Sequence, residues 1–313
     1  MPAYILRRAV TAAVLTVLVT FITYCLLSVS FRSIAQSLLP AGATPKDVDA
    51  EMAALHWDRP ILSQYFHWLT SALHGDFGTS LFTSENVSAA VVQRLSVTLS
   101  VVVPALVIVA LTSIVLGSVA AARGGAADRV SQVVSLVGYL VPGLLFSIGL
   151  VVVFALRLKI LPASGYTEPG VDFGAYAEHV AIPVAVLVIG GVANLTAQVR
   201  GSMIGELKKD YVRTLRARGV PLRRVILRHA LRNASGPALT VLGLEFIVML
   251  GAALFIERVF ALPGYGSFSL NSAMTGDVPV IMGITAFTVV LTVAVNLVVD
   301  LVNLWLNPKA VIG

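Results

Sequence analysis

The sequence predicts an all-α polytopic membrane protein with six transmembrane helices. Hydrophobic residues make up 57% of its 313 positions and charged residues only 12%, whereas soluble domains contain roughly 25% charged residues. Six apolar segments are each long enough to cross a bilayer, which takes roughly 20 residues. Nearly half of the basic residues are concentrated in one polar segment between two apolar ones. That local concentration is typical of a cytoplasmic membrane face.

The first apolar segment, Ala9 to Val29, follows two arginines, Arg7 and Arg8. Its length favours an uncleaved transmembrane helix with a cytoplasmic N-terminus. A secretory signal peptide is the alternative, although the segment is long for the apolar part of such a peptide. Cys25, the single cysteine, lies inside this segment and excludes an intrachain disulfide framework. We assign residues 1–30 to the N-terminus and the first helix.

Residues 31–94 form a polar region in which acidic and basic residues nearly balance. Thr44 followed by Pro45 predicts a capped helix start, because proline suits the first helical position. The stretch Gly75–Gly78 reads as a turn. We therefore predict a small external region of short helices between the first and second transmembrane helices.

Residues 95–313 contain the remaining five apolar segments and are predicted to form the membrane core. These segments are Leu95–Ala121, Val133–Leu156, Val180–Ala197, Leu239–Ile256 and Val280–Leu306. Pro104, Pro142 and Pro183 fall within or at the edge of these segments, where kinks are tolerated because neighbouring helices satisfy the freed carbonyls. Six crossings place both termini on the same side of the membrane.

The polar segment from Arg200 to Pro237, here called the basic loop, separates the fourth and fifth crossings. It contains ten basic side chains and two acidic ones, Glu206 and Asp210. Two interpretations are open. The cations either fix topology and bind anionic membrane lipid, at roughly 1 kcal/mol each, or they belong to a docking surface for a protein. Because the excess charge is local and lies beside apolar segments, it does not indicate a nucleic-acid binder.

The basic loop also has a predicted shape. Leu207, Tyr211 and Leu215 recur at i, i+4 and i+8, which predicts a short helix with a narrow apolar stripe. The Gly219–Pro221 stretch then supplies the stop signals of a helix C-terminus. A second helix is predicted within 222–237, ending at the asparagine, glycine and proline that close the loop. Topology requires charge but not shape, so the pattern favours a protein partner.

The loops between the crossings predict the orientation. The short segments assigned to the inside carry Arg7, Arg8, Arg123, Arg129 and Lys309, in addition to the basic loop. In the segments assigned to the outside, acidic residues match or outnumber basic ones. Both termini are therefore predicted to be cytoplasmic, because positive residues accumulate in cytoplasmic loops.

Two stretches of the basic loop, Asp210–Gly219 and Arg228–Ala234, carry a specific resemblance to a known family. Gly75–Ser80, Phe255–Phe260 and Asn307–Lys309 agree with it. Together these stretches resemble the permease subunits of ABC importers, and more closely the B-type permease of dipeptide and oligopeptide importers. The resemblance covers nearly the whole chain and implies a multi-pass protein of the bacterial cytoplasmic membrane.

The resemblance also implies partners. In this family the loop forms a coupling helix that sits in a groove of a cytoplasmic ATPase. The implied partners are a second homologous permease, two ATPase domains, an extracytoplasmic substrate-binding protein and a peptide substrate. Closure of the ATPases then tilts the permeases between inward-facing and outward-facing states. By position, the docking residues are Asp210, Tyr211, Val212, Arg213, Thr214, Leu215, Arg216, Ala217, Arg218 and Gly219.

The sequence predicts no catalytic site of its own. It lacks the G-x-x-x-x-G-K-[ST] phosphate loop, so ATP and Mg²⁺ are expected in the partner ATPases, with no cofactor in this chain. The five histidines do not cluster with metal-ligand spacing, and no metal site is predicted. The chain is therefore expected to be a non-catalytic subunit.

Two acidic residues in the fifth crossing are candidates for the translocation path. Glu245 lies about eight residues into this crossing, and an ionisable residue at such a depth is a functional candidate. The alternative is a structural role, in which Glu245 is protonated or hydrogen-bonded and faces a neighbouring helix. Glu257 and Arg258, at the outer end, either line an outer gate, meet the binding protein or form a simple interfacial ion pair.

The identity of the solute stays open at this stage. Importers of nickel, haem or other small solutes share the same permease architecture. A stand-alone secondary transporter is a further alternative, which would be expected to show an internal repeat and several membrane acids. No obvious repeat is present.

Overall fold

The computed structural model of the chain describes residues 2–306. Lys309 and the Asn307–Lys309 stretch lie outside the described residues. Within them the chain is helical and forms no strand, which confirms the all-α prediction. The helices are α1 (Pro2–Ser28), α2 (Phe31–Leu38), α3 (Pro45–Ala54), α4 (Ile61–Leu73), α5 (Val87–Arg123), α6 (Gly125–Leu140), α7 (Gly143–Leu150), α8 (Phe173–Leu207), α9 (Asp210–Ala217), α10 (Leu222–Val225), α11 (Leu231–Phe260), α12 (Tyr265–Thr275) and α13 (Val278–Leu306).

Five helical segments of the described chain are long and apolar enough to cross a membrane. They are α1, α5, α8, α13 and the continuous segment that joins α10 to α11. The pair α6 and α7 adds a sixth crossing if the two are counted as one bent span. The predicted Val180–Ala197 crossing is the middle of the longer helix α8.

The third predicted crossing, Val133–Leu156, is not one straight helix. Helices α6 and α7 meet at an angle of 97°, and a π-helical turn, Val151–Arg157, follows α7. At the bend, Val141 has extended backbone angles, with φ −87° and ψ 120°. A residue before proline is pushed out of the helical region, and proline lacks an amide donor, so Pro142 explains the bend.

The second helix of the basic loop does not end at residues 233–237, contrary to the prediction. Helix α10, a π-helical turn at Ile226–Ala230 and helix α11 follow one another without interruption. Pro237 lies inside α11. Ala230 and Ala234 are buried before the proline and several α11 residues after it, so packing on both sides holds the helix. Proline removes a single amide donor, which such packing offsets.

The chain divides into two compact units. The first comprises Met1–Ser96 with Gly264–Ala294. Aromatic side chains dominate its core, where the Tyr24 hydroxyl donates to Gln64 Oε1 at 2.8 Å. Helix α3 begins as predicted, with Pro45 at its first position and a capping box between Thr44 and Asp47.

The second unit comprises Val97–Pro263 with Val295–Gly313 and is built around α8. Two glycines let neighbouring helices approach α8 closely. A Cβ atom on Gly138 would lie 2.6 Å from Ala193 Cβ, and one on Gly117 would lie 2.8 Å from Val199 Cβ. Real Cβ atoms do not come that close, so larger residues would push α6 and α5 away from α8. Helix α8 also carries Glu206, which contacts the predicted docking segment, and Asn194, which contacts Glu245.

Candidate functional site

Helix α9 ends at Ala217, and Gly219 lies just past its C-terminus, as the sequence predicted. The glycine has φ +79°, a left-handed conformation that costs glycine little. Its amide donates to the Arg216 carbonyl at 3.0 Å, and the Val220 amide donates to the Leu215 carbonyl at 3.1 Å. This pair of hydrogen bonds is a complete Schellman motif. The end of α9 is therefore fixed by its own backbone.

The predicted apolar stripe is divided between two helices. Leu207 is the last residue of α8, and α9 begins only at Asp210, so Leu207 does not share a helix with Tyr211 and Leu215. Both of these residues are half-buried. Val212 is 2% exposed and packs inside this chain. The apolar face of α9 therefore serves largely to attach the helix to its own subunit.

The outward surface of α9 is polar and mainly basic. The exposed residues among the predicted docking set are Asp210, Arg213, Thr214, Arg216, Ala217, Arg218 and Gly219. Arg213 Nη1 lies 3.9 Å from Asp210 Oδ1, and such an exposed pair contributes little to stability. These side chains are consequently free to meet another surface.

Glu206 attaches α9 to the helices on either side of it. Its side chain is only 5% exposed. The Tyr211 hydroxyl and Asn233 Nδ2 donate to Oε1, at 2.8 and 3.0 Å, and Lys209 Nζ lies 2.5 Å from Oε2. Since Asn233 belongs to α11, these four residues, the Glu206 clamp, join the ends of α8, α9 and α11. Burial, followed by the hydrogen bond to Glu206, raises the pKa of Tyr211 above its ordinary value.

Two cations of the basic loop make contacts within the chain. Arg200 lies on α8 and donates through Nε and Nη2 to the Asp128 carboxylate of α6. Arg232 donates through Nε to the Leu306 carbonyl of α13 at 3.0 Å. Part of the positive charge that the sequence assigns to a surface loop therefore holds helices of the second unit together.

Both acids that the sequence singled out in the fifth crossing are buried. Glu257 is 2% exposed and accepts from Thr98 Oγ1 at 2.5 Å. Glu245 is 5% exposed and accepts from Asn194 Nδ2 of α8 at 3.0 Å. Glu245 also lines a cavity of about 420 Å³ between α7, α8 and α11. Glu245 is therefore hydrogen-bonded to a neighbouring helix and also faces a cavity, and its place in a translocation path stays a prediction.

Comparison with known proteins assigns the chain to a family. Residues 113–312 match the binding-protein-dependent transport system inner membrane component. Residues 1–102 match the N-terminal part of a binding-protein-dependent transport system membrane component. The chain belongs to this family. It is therefore a membrane permease subunit of a binding-protein-dependent transport system, as the resemblance of the basic loop implied.

The permease is similar to curated proteins over almost its full length. It is 32% identical to a probable peptide ABC transporter permease of Sinorhizobium fredii, over 99% of both chains. It is 36% identical to a putative peptide permease of Brucella ovis, over 85% of both chains. It is 32% identical to the dipeptide transport system permease of Bacillus subtilis, over 99% of this chain and 98% of that one.

Sequence reasoning missed the role of Glu206 in this permease. Glu206 and Tyr211 are five residues apart across a helix break, and Asn233 is 27 residues away. No helical period connects these positions, so no local pattern could reveal the clamp. The available signal was that Glu206 is one of two acids among the ten basic residues of the basic loop.

Proposed function

We propose that this permease imports peptides as part of an ATP-driven ABC importer. The observation that carries the proposal is the match, over nearly the full length of both chains, to permeases named for peptide and dipeptide transport. The permease then forms half of the translocation path, and a second homologous permease forms the other half. An extracytoplasmic binding protein delivers the peptide, and two ATPase domains bind ATP and Mg²⁺ and drive alternating access.

Asp210–Gly219 is the proposed contact with the ATPase. Three features support this assignment: the segment is short, its outward side chains are mostly exposed and basic, and both its ends are fixed. A helix held rigidly can transmit force from a groove into which it fits, whereas a mobile loop cannot. A helix lying in a groove of a partner is also a common recognition mode.

The proposed topology has both termini in the cytoplasm. It is supported by the distribution of basic residues in the short loops, which follows the positive-inside rule. Residues 1–30 then form the N-terminus and first helix, and residues 31–94 lie outside, where a binding protein docks. Residues 95–313 form the membrane core, with the coupling loop at 200–237.

Glu245 and Glu257 are the proposed polar groups of the translocation path. Both lie on α11, which begins next to the Glu206 clamp. A movement of α9 is therefore expected to shift both carboxylates. Of the two, Glu245 has the stronger support, because it lines a cavity.

Copurification of the detergent-solubilised importer tests the docking assignment. Gly219→Pro is expected to abolish ATPase association, because proline cannot adopt φ +79° and has no amide to donate to Arg216. Leu215→Asp is expected to do the same by placing a charge on the half-buried side of α9. If ATPase subunits copurify with both variants as with the wild type, the docking assignment is wrong.

Two matched controls accompany these variants. Gly219→Asn retains the amide and tolerates a left-handed backbone, so it should retain the ATPases. Leu73→Asp introduces the same charge at a leucine that is 78% exposed in α4, and it should also retain them. Uptake of a radiolabelled dipeptide by the wild-type importer with its binding protein tests the substrate, and absence of uptake would contradict the peptide assignment.

A further inference from the structure

The cavity beside Glu245 combines an apolar lining with one carboxylate. It lies within the second unit between α7, α8 and α11, and its 420 Å³ falls in the range of roughly 300–1,000 Å³ that is typical of small-molecule sites. Its larger apolar residues include Leu144, Val186, Val248 and Phe255. Ser147 is its second side chain with a hydrogen-bonding group, and its hydroxyl donates to the Gly143 carbonyl at 3.0 Å.

The Glu245 carboxylate retains unused hydrogen-bonding capacity. Within residues 2–306, it accepts a single hydrogen bond, from Asn194 Nδ2 to Oε2 at 3.0 Å, and no basic residue lines the cavity. An ionised carboxylate can accept about four hydrogen bonds. A buried carboxylate with so few partners is costly unless a cation or further donors meet it. The residues that line the cavity therefore supply neither a positive charge nor enough hydrogen-bond donors for the Glu245 carboxylate.

Gly191 creates the space that the carboxylate occupies. A Cβ atom at this position would lie 3.2 Å from Glu245 Oε1, 2.8 Å from Met249 Cε and 2.9 Å from Val109 Cγ2. Any larger residue would have to displace these side chains. The position of the Glu245 carboxylate on α11 thus depends on Gly191 of α8. The site is formed by packing between helices and is more than a single acid on one helix.

We infer that Glu245 binds the ammonium group of a transported molecule whose neighbouring groups are apolar. An ammonium supplies the positive charge and the hydrogen-bond donors that the carboxylate lacks, and apolar groups match the remaining lining. This inference rests on the proposed function, under which the ligand is the amino terminus of a peptide. It assigns to this chain a selectivity for free amines, in addition to that of the binding protein.

The first test measures the cavity's preference for cations without using transport. In a Cys25→Ser background, Val248→Cys places one thiol in the cavity at a side chain that is 60% exposed. The assembled importer in membranes is treated with methanethiosulfonates that carry either trimethylammonium or sulfonate. We expect Glu245→Gln to lower the ratio of cationic to anionic labelling rates about tenfold, because a carboxylate in a low-dielectric cleft concentrates cations.

Leu244→Cys is the matched control for this labelling. Leu244 is similarly exposed on α11 but does not line the cavity, so its labelling ratio should not respond to Glu245→Gln. An unchanged ratio at Val248→Cys overturns the inference. Failure of both reagents to label Val248→Cys also overturns it, since lipid or the second permease would then occupy the cavity.

The second test compares uptake of an apolar dipeptide with its N-acetylated analogue. We expect Glu245→Gln to reduce uptake of the free-amine peptide about tenfold relative to the acetylated one. Equal loss of both would indicate a structural role and overturn the inference, and so would no loss of either. If the wild-type importer takes up neither peptide, the proposed function fails, while the labelling result still decides the cation preference.

Discussion

Two glutamates of the second unit are equally buried but differently satisfied. Glu206 and Glu245 are each 5% exposed. Glu206 accepts hydrogen bonds from Tyr211 and Asn233 and pairs with Lys209, whereas Glu245 accepts one from Asn194. The Glu206 carboxylate uses most of its hydrogen-bonding capacity within the fold, whereas the Glu245 carboxylate can still accept hydrogen bonds from a ligand. The number of hydrogen-bond donors, and not burial, therefore distinguishes the structural carboxylate of Glu206 from the proposed binding carboxylate of Glu245.

Replacing Glu206 should have the largest effect, because its donors are then left without an acceptor. We expect Glu206→Leu to lower the free energy of unfolding by about 2–6 kcal/mol, because the Tyr211 hydroxyl and the Asn233 amide lose their acceptor and each unsatisfied donor costs about 1–3 kcal/mol. Detachment of α9 should also abolish peptide uptake. Thermal unfolding of the purified importer and an uptake assay measure the two effects.

Glu178→Leu is the matched control, because it removes an exposed carboxylate from the same helix, α8. Its stability and uptake should match the wild type. If Glu206→Leu behaves like Glu178→Leu, the clamp does not hold α9 and the contrast between the two glutamates fails.

Adding a methyl group at Gly191, beside Glu245, should have an intermediate effect on stability. We expect Gly191→Ala to destabilise the permease by about 1–3 kcal/mol, because it crowds Met249 and Val109. Gly190→Ala is the control, since the adjacent glycine also lines the cavity but a Cβ there meets nothing within 4 Å. Thermal unfolding should separate the two variants, and equal stability would contradict the described packing around Glu245.

Removing one hydroxyl from the clamp should have the smallest effect. We expect Tyr211→Phe to cost about 1 kcal/mol, the typical net contribution of one hydrogen bond. The folded state raises the pKa of Tyr211, so it holds this proton more tightly than the unfolded chain. Wild-type stability should therefore fall as the pH rises above about 10, the ordinary tyrosine value, and Tyr211→Phe should lack that part of the decline. Parallel pH profiles for the two proteins would contradict this.

Features set by local chemistry could be predicted from the sequence. The apolar segments gave the all-α membrane class, and the Gly219–Pro221 stretch gave the end of α9. These features depend on residues close together in the chain. A left-handed glycine after a helix is largely independent of what the rest of the protein does.

The proline positions show where local chemistry is insufficient. Pro104, Pro183 and Pro237 all lie inside helices, while Pro142 accompanies a 97° bend. Of these four prolines, Pro142 alone is followed directly by glycine, which is a turn signal. Elsewhere the packing of neighbouring residues determines whether the helix continues, and a single sequence does not reveal that packing.

The polar contacts at both sites could not be predicted, because they join distant parts of the chain. Asn194 and Glu245 are 51 residues apart, and Asn233 lies 27 residues from Glu206. Such pairs form only when α8 and α11 are aligned in one particular register. The sequence could name Glu245 as a candidate from its depth in an apolar segment, but it could not supply the partner.

The Glu206 clamp connects α9 to one end of α11, so a movement of α9 is expected to move α11. Asn233 is held at one end of α11, and Glu245 lies twelve residues further along this helix, about 18 Å away at 1.5 Å per residue. Under the proposed function, a force on α9 would reach both α8 and α11, which also carry the hydrogen-bonded partners Asn194 and Glu245. Rotation of one helix against the other would break the hydrogen bond between Asn194 and Glu245. Binding of the transported molecule at Glu245 would then weaken when the ATPases drive the conformational change.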